Sequence, residues 1–235
     1  MRTWIVVPAA GVGARYGAAP KQYADLAGAP VLARTLDRLA MLGAETTVVA
    51  LAPDDIGYDQ WIGTRPGVLP LRCGGATRGA TVRKALHALG TRCDDDDWIL
   101  VHDAARPCVP REALQRLVRE VADDNVGGLL ALPLADTLKR ASTLDDPPRV
   151  MRTEDRAGLW LAQTPQMFRC RLLVAAHGLD IAGDCTDEAQ AIEALAATGA
   201  CAMPRLVRGS GANIKITYPG DLALAAAILH MQGGQ

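Results

Sequence analysis

The stretch Trp4-Ile5-Val6-Val7-Pro8-Ala9-Ala10-Gly11-Val12-Gly13-Ala14-Arg15-Tyr16-Gly17-Ala18-Ala19-Pro20-Lys21-Gln22 decides how this chain reads. Its first four residues are apolar and rich in β-branched side chains, the pattern of a strand buried on both faces. A turn of small residues follows. Small side chains let backbone approach a ligand closely, and a glycine-rich turn can aim several N–H groups at a phosphate. Two cations, Arg15 and Lys21, sit in and just beyond that turn. The loop is therefore expected to hold a polyphosphate.

Two better-known phosphate loops fit less well. Gly11-x-Gly13-x-x-x-Gly17 looks like a dinucleotide fingerprint, but that motif needs its last glycine to lead straight into a helix. Here Ala18-Ala19-Pro20 intervenes, and Pro20 disfavours helical geometry at Ala19. The next acidic residue at a useful distance, Asp37, falls inside a helical pattern. A Walker loop fails because no Gly-Lys-Ser/Thr follows the glycines. A plain structural turn stays open as the third reading.

Around this segment the chain has 235 residues, 49% hydrophobic and 22% charged, with a formal net charge of −1. That composition is globular, and the length allows one large α/β domain or two small ones. A near-neutral surface favours neither nucleic acid nor an anionic membrane, so any anionic ligand must be held by locally placed cations. No apolar run reaches the length of a membrane span, and the N-terminus lacks a signal-peptide pattern. The six cysteines, at 73, 93, 108, 170, 185 and 201, form no C-x-x-C pair. With no Asn-x-Ser/Thr acceptor either, a cytoplasmic protein with reduced thiols is expected.

Strand and helix patterns alternate along the chain. Strands are expected at 4–7, 47–51, 68–71, 98–101, 128–132 and 203–207, and Asn213-Ile214-Lys215-Ile216-Thr217 reads as a further strand end. Helices are expected over 31–39, 82–89, 114–121, 170–178, 187–198 and from about Pro219. The rhythm argues for a mostly parallel sheet with helices on both faces. It breaks between about Asp136 and Gly158, where the turn cluster Asp145-Asp146-Pro147-Pro148 predicts a projecting hairpin. An isolated hairpin is marginal in water, so this arm is expected to pack on a partner such as a second copy of the chain. No linker separates two domains, and the expectation is one domain, 1–235, plus the arm at about 136–158. His87, His177 and His230 read as surface or helix-face residues.

In an open parallel sheet, ligands collect beyond the carboxyl ends of the strands. Four polar clusters fall there: the 8–22 loop, Gly74-Gly75-Ala76-Thr77-Arg78-Gly79-Ala80-Thr81, His102-Asp103-Ala104-Ala105-Arg106-Pro107, and Asn213-Ile214-Lys215. Each has a plain structural reading. Thr77 could simply cap a helix, Asp103 and Arg106 could pair to fix a loop, and Lys215 could be a solvated charge. Their joint placement predicts one crevice. Glycine turns, Lys, Arg and one Asp suit phosphoryl or nucleotidyl transfer, in which positioning and charge stabilisation supply most of the catalysis.

The motifs Pro8-Ala-Ala-Gly-x-Gly-x-Arg15, Pro20-Lys21-Gln22, Gly74-Gly75-x-x-Arg78, His102-Asp-Ala-Ala-Arg106-Pro107, Asp136-Thr137, Thr164-Pro165-Gln166, Thr186-Asp187-Glu188 and Asn213-Ile-Lys215-Ile-Thr217 occur in order. Together they resemble the 2-C-methyl-D-erythritol 4-phosphate cytidylyltransferases, over about residues 4 to 225. The resemblance implies the Rossmann-like α/β fold of the nucleotide-diphospho-sugar transferase type. It also implies transfer of CMP from CTP to methylerythritol phosphate with release of pyrophosphate. The implied catalytic residues are Arg15, Lys21 and Lys215, which would hold the phosphates. The implied nucleotide-binding residues are Ala9, Ala10, Gly11, Gly13, Gly75 and Thr81. Asp103, Arg106 and Thr186 would hold methylerythritol phosphate, with Thr137 and Arg156 reaching it from the neighbouring subunit of a homodimer. Mg²⁺ is implied as the cofactor, held mainly by the nucleotide or lying near Asp103.

Three positions depart from the pattern: Ala14 for a common arginine, Ala76 where some members carry aspartate, and Thr81 for the usual serine. Fusion to a further pathway enzyme is not expected. Competing readings are a ribitol-5-phosphate cytidylyltransferase, a nucleotide-binding regulatory module without turnover, and a dehydrogenase.

Overall fold

The computed structural model describes residues 2–11, 20–142, 146–179 and 185–233. Gly13, Ala14 and Arg15, and Asp145 of the arm's turn cluster, lie outside them. The main sheet has seven strands in the order β3-β2-β1-β4-β8-β5-β9. They are β1 (Thr3–Pro8), β2 (Thr46–Ala50), β3 (Val68–Leu71), β4 (Trp98–Val101), β5 (Gly127–Pro133), β8 (Trp160–Arg169) and β9 (Arg205–Arg208). β1 pairs in parallel with β2 and β4, β2 with β3, and β5 with β9.

The apolar runs form strands because both sheet faces are covered. In β1, Trp4 and Val6 enter one core while Ile5 and Val7 enter the other. β2 and β4 repeat this division, with Val48, Ala50, Ile99 and Val101 on the first side and Val49, Trp98 and Leu100 on the second. Successive side chains of a strand point to opposite faces, so continuous hydrophobicity is what a two-sided strand requires. The first face carries α3 (Arg78–Leu89), α5 (Cys170–His177) and α6 (Glu188–Ala197). The second carries α1 (Val31–Ala40), the short α2 (Gly57–Trp61) and α4 (Arg111–Val121). A smaller core packs α7 (Asp221–Gly233) against Leu26, Val31 and Cys108.

One strand was unexpected and two expectations need correction. No element is expected over 160–169 from the sequence, yet this region forms β8, antiparallel to both β4 and β5. Pro165 and the polar Gln163, Thr164 and Gln166 hide it. The register of β5 against β8 shifts between Leu129 and Ala131, and this irregularity accommodates the proline. Its polar side chains are satisfied internally: Gln163 Nε2 donates to Ser210 O at 2.9 Å, and Gln166 Nε2 to Asp187 Oδ2 at 2.9 Å. The segment 213–217 is not a strand; it is tied to the loop after β4 by the Ile216 N–H, 2.9 Å from Ala105 O. His177 is buried on α5, and neither ring nitrogen has a hydrogen-bond partner.

The arm is a separate two-stranded sheet, β6 (Lys139–Ala141) antiparallel to β7 (Val150–Thr153). Arg140 and Arg152 both pair with Glu154. Val150 and Met151 stand 66% and 61% exposed, which leaves an apolar surface on a two-stranded element that cannot build a core alone. No described helix is long and apolar enough to cross a membrane.

Candidate active site

All four sequence clusters reach one cavity of about 580 Å³. The parallel strands end together, and the loops leaving β1, β3 and β4 surround that end. Ala9, just past β1, donates its N–H to Ala50 O at 2.8 Å, and its carbonyl accepts from buried Gln22 Nε2 at 3.1 Å. Ala10 and Gly11 thus enter the wall from a pinned stretch of backbone.

Gly74 lies beneath that wall. A Cβ built on it would fall 2.5 Å from Ala10 Cβ and 2.8 Å from Leu51 O, so only glycine fits. The Gly75 N–H donates to Thr81 Oγ1 at 3.0 Å, and that hydroxyl donates to Thr77 O at 2.9 Å. Thr77 caps α3 by accepting from the Ala80 N–H at 3.1 Å. The helix-cap reading of Thr77 is therefore correct, and the cap also places Gly75, Ala76 and Arg78 on the cavity.

Charge concentrates on Asp103. Its Oδ1 accepts from Arg78 Nε at 3.0 Å, its Oδ2 lies 2.7 Å from Lys215 Nζ, and Arg106 Nε is 3.6 Å from Oδ2. Burial alone would raise this carboxyl, but Arg78, Lys215 and Arg106 outweigh it and hold it well below the usual carboxylate range. Arg78 in turn forms a fork with Glu188, Nη1 to Oε1 at 2.8 Å and Nη2 to Oε2 at 3.0 Å. Burial opposes its charge, yet Glu188 and Asp103 raise its pKa, so it stays cationic. Among the described residues lining the cavity, three cations (Lys21, Arg78, Lys215) thus face one carboxylate, Asp103.

His102 is a scaffold residue. Burial pushes it down to about 4, so it is neutral. Its Nε2 is 3.0 Å from Arg106 O and its Nδ1 is 3.1 Å from Thr164 Oγ1, which itself accepts from the Asp103 N–H at 3.0 Å. With Nε2 carrying the proton, every group in this chain is satisfied. Buried Asn213 donates to Thr164 O at 2.8 Å, and Arg106 Nη1 donates to Asn213 O at 2.7 Å. These bonds fix Asp103 and Lys215 relative to each other.

Lys21, Lys215, Ala9, Ala10, Gly11, Gly75, Thr81 and Asp103 therefore line one space. Lys21 Nζ also donates to Ile216 O at 3.0 Å. Arg106 braces the 213–217 segment and does not line the cavity. Thr137 and Arg156 are exposed on and beside the arm, and Thr186 is exposed just before α6; none of the three lines the cavity of this chain. Arg15 and Gly13 lie outside the described residues. Sequence reasoning gave no role to Arg78, Glu188, Gln22 or Thr217. All four stood inside motifs, but nothing in a linear sequence signals that Arg78 and Glu188 meet.

A family model for 2-C-methyl-D-erythritol 4-phosphate cytidylyltransferase (IspD) matches residues 3–231. The chain belongs to that family. It is 51% identical over 232 residues to the 2-C-methyl-D-erythritol 4-phosphate cytidylyltransferase of Dechloromonas aromatica, covering 97% of each chain. A crystal structure of a 4-diphosphocytidyl-2C-methyl-D-erythritol synthase superposes with a TM-score of 0.83 at 37% identity, over 97% of this chain and 98% of that one. The Francisella tularensis 2-C-methyl-D-erythritol 4-phosphate cytidylyltransferase gives 0.80 at 30% identity, over 97% and 100%. The mostly parallel sheet with its flanking helices matches these structures.

Among the described residues no group of three or more His, Cys, Asp or Glu could hold a metal ion. Asp103 is the one carboxylate among the described residues lining the cavity. That suits Mg²⁺, which commonly binds through one or two carboxylates together with substrate phosphates.

Proposed function

We infer that this chain transfers CMP from CTP to 2-C-methyl-D-erythritol 4-phosphate, giving the CDP-linked alcohol and pyrophosphate. The observation that carries the reading is the convergence of Lys21, Lys215 and Asp103 on one cavity in a member of this family. A phosphate oxygen of the alcohol phosphate attacks the α-phosphorus of CTP in line. The bond from α-phosphorus to the bridging oxygen breaks, and pyrophosphate leaves with the electron pair. No covalent enzyme intermediate is needed, so catalysis rests on alignment and on cations facing the charge that develops.

Lys21 and Lys215, with Arg15 from the N-terminal loop, hold the triphosphate and neutralise the transition state. Backbone around Ala9, Ala10, Gly11 and Gly75 receives cytosine, and Gly13 contributes to nucleotide binding. The tight seat of Gly74 beneath Ala10 fixes the position of the wall against which the base would lie. The Thr81 hydroxyl, which bonds the Gly75 N–H and Thr77 O, shapes this wall. Asp103 holds methylerythritol phosphate in the cavity, Arg106 supports it through the 213–217 segment that it braces, and Thr186, exposed just before α6, would meet the part of the substrate that extends past the cavity. Mg²⁺, when bound, offsets phosphate charge, with Asp103 as the candidate protein ligand.

We further propose a single catalytic domain spanning the chain that forms a cytoplasmic homodimer through the 136–158 arm. Thr137 and Arg156 would then reach the neighbouring site. The exposed Val150 and Met151 support this, since a partner would cover them. A pyrophosphate-release assay with CTP and either methylerythritol 4-phosphate or ribitol 5-phosphate tests the reaction. Turnover of methylerythritol phosphate is expected, and turnover of ribitol phosphate alone would overturn the assignment.

A further inference from the structure

Lys215 faces two demands. It lies 2.7 Å from Asp103 Oδ2, and the proposed reaction asks it to meet a phosphate. A buried carboxylate stripped of its partner is costly, so Asp103 needs a second donor that stays in place. Arg106 supplies charge but no hydrogen bond, because its Nε is 3.6 Å away and its Nη1 is committed to Asn213 O. Arg78 Nε, at 3.0 Å from Oδ1, does supply one.

A guanidinium held through Nε alone could swing. Arg78 is prevented from doing so by the fork to Glu188, which is fully buried. Glu188 is itself anchored. It opens α6, whose cap Asp187 accepts from the Gln190 N–H at 2.9 Å and from Gln166 Nε2 at 2.9 Å. Gln166 Oε1 accepts from the Ala189 N–H at 2.7 Å, tying the same turn to β8. A rigid path therefore runs from the sheet through Glu188 and Arg78 to Asp103.

We propose that Arg78 and Glu188 are positioning residues that clamp Asp103, keeping its carboxylate aimed and partnered when Lys215 moves to a phosphate. Neither need touch the nucleotide. The clamp rests on the cytidylyltransferase reading given above.

Steady-state kinetics of the full-length Glu188→Gln and Arg78→Lys variants test it, with CTP affinity measured by calorimetry. Glu188→Gln keeps the volume and removes the charge-matched fork. Arg78→Lys keeps a cation but cannot donate to Glu188 and Asp103 in the same planar geometry. In both variants kcat/KM for methylerythritol phosphate should fall about 10- to 100-fold, the scale of a small misplacement at a reacting group, while CTP affinity stays within about twofold. Equal losses toward both substrates would mean a merely structural role, and full activity of Arg78→Lys would mean that charge alone suffices; either result overturns the clamp. Should Glu188→Gln not fold, Arg78→Lys decides by the same split. Wild-type turnover is read separately, so failure of the reaction itself is distinguishable from failure of the clamp.

Discussion

Lys215 Nζ lies 2.7 Å from Asp103 Oδ2, joining two segments that are 112 positions apart in the chain at the mouth of one cavity. The lysine is partly exposed, whereas the aspartate is buried. The pair thus couples a movable cation to a fixed anion, an arrangement suited to delivering charge to a phosphate.

Removing that cation should act on the chemical step. Lys215→Ala leaves Asp103 paired with Arg78 and Arg106, so the fold should persist. Loss of transition-state stabilisation should lower kcat by about 10²- to 10³-fold, or ~3–4 kcal/mol, as for an oxyanion donor. Pyrophosphate release at saturating CTP and methylerythritol phosphate measures it. Near-normal turnover would remove Lys215 from the transfer site.

Gly74→Ala should distort the nucleotide wall. The added methyl would meet Ala10 Cβ at 2.5 Å and the Leu51 carbonyl at 2.8 Å, and backbone cannot yield cheaply. Overpacking of this kind costs about 1–3 kcal/mol. CTP affinity and thermal midpoint should both drop, and titration calorimetry with a melting curve would show it. Unchanged CTP binding would mean that the Ala9–Gly11 wall does not contact the nucleotide.

The arm makes a prediction about subunits. If Arg156 serves the neighbouring site, heterodimers of Arg156→Ala with Lys21→Ala contain one intact site. Activity should rise from near zero to about half of wild type per verified heterodimer, on simple site counting for a two-fold dimer. Recovery that never appears would place each site within one chain.

His177 gives the pH dependence a definite sign. Burial, followed by the charges of Arg78 and Arg83, lowers its pKa to about 4 from an ordinary 6.5. The unfolded chain then binds the proton more readily, so stability rises with pH between about 4 and 6.5 and is lost on acidification through that window. The contribution is about 3 kcal/mol at 1.36 kcal/mol per pH unit. His177→Leu should flatten this slope. At pH 7 it should match or exceed wild type by about 1 kcal/mol, because two unpartnered buried nitrogens are removed. Urea midpoints at pH 7 and pH 4.5 provide the comparison, and an unchanged slope would show that His177 takes up its proton in the fold as readily as in the unfolded chain.

Much of the sheet was legible because β1, β2 and β4 are buried on both faces, which makes their hydrophobicity continuous over short lengths. β8 was not. Its signal is broken by Pro165 and by Gln163, Thr164 and Gln166, whose polar groups are satisfied by residues distant in sequence. His177 misled for a related reason: α5 is short, and which of its faces turns inward depends on α3 and α6 packing beside it.

The site divides in the same way. Local sequence determined which loops carry the chemistry, since small residues, Lys21, the Gly74-Gly75 turn and Asp103 directly follow strands whose ends must coincide in a parallel sheet. Only the tertiary structure decided their partners. It placed Arg78 between Asp103 and Glu188, gave Lys215 to Asp103, and turned Arg106 into a brace for the 213–217 segment. Loop placement follows from hydrophobic periodicity, which is written along the chain. Ion pairing depends on distances of a few ångströms between residues 25 to 112 positions apart, and those exist only once the sheet has assembled.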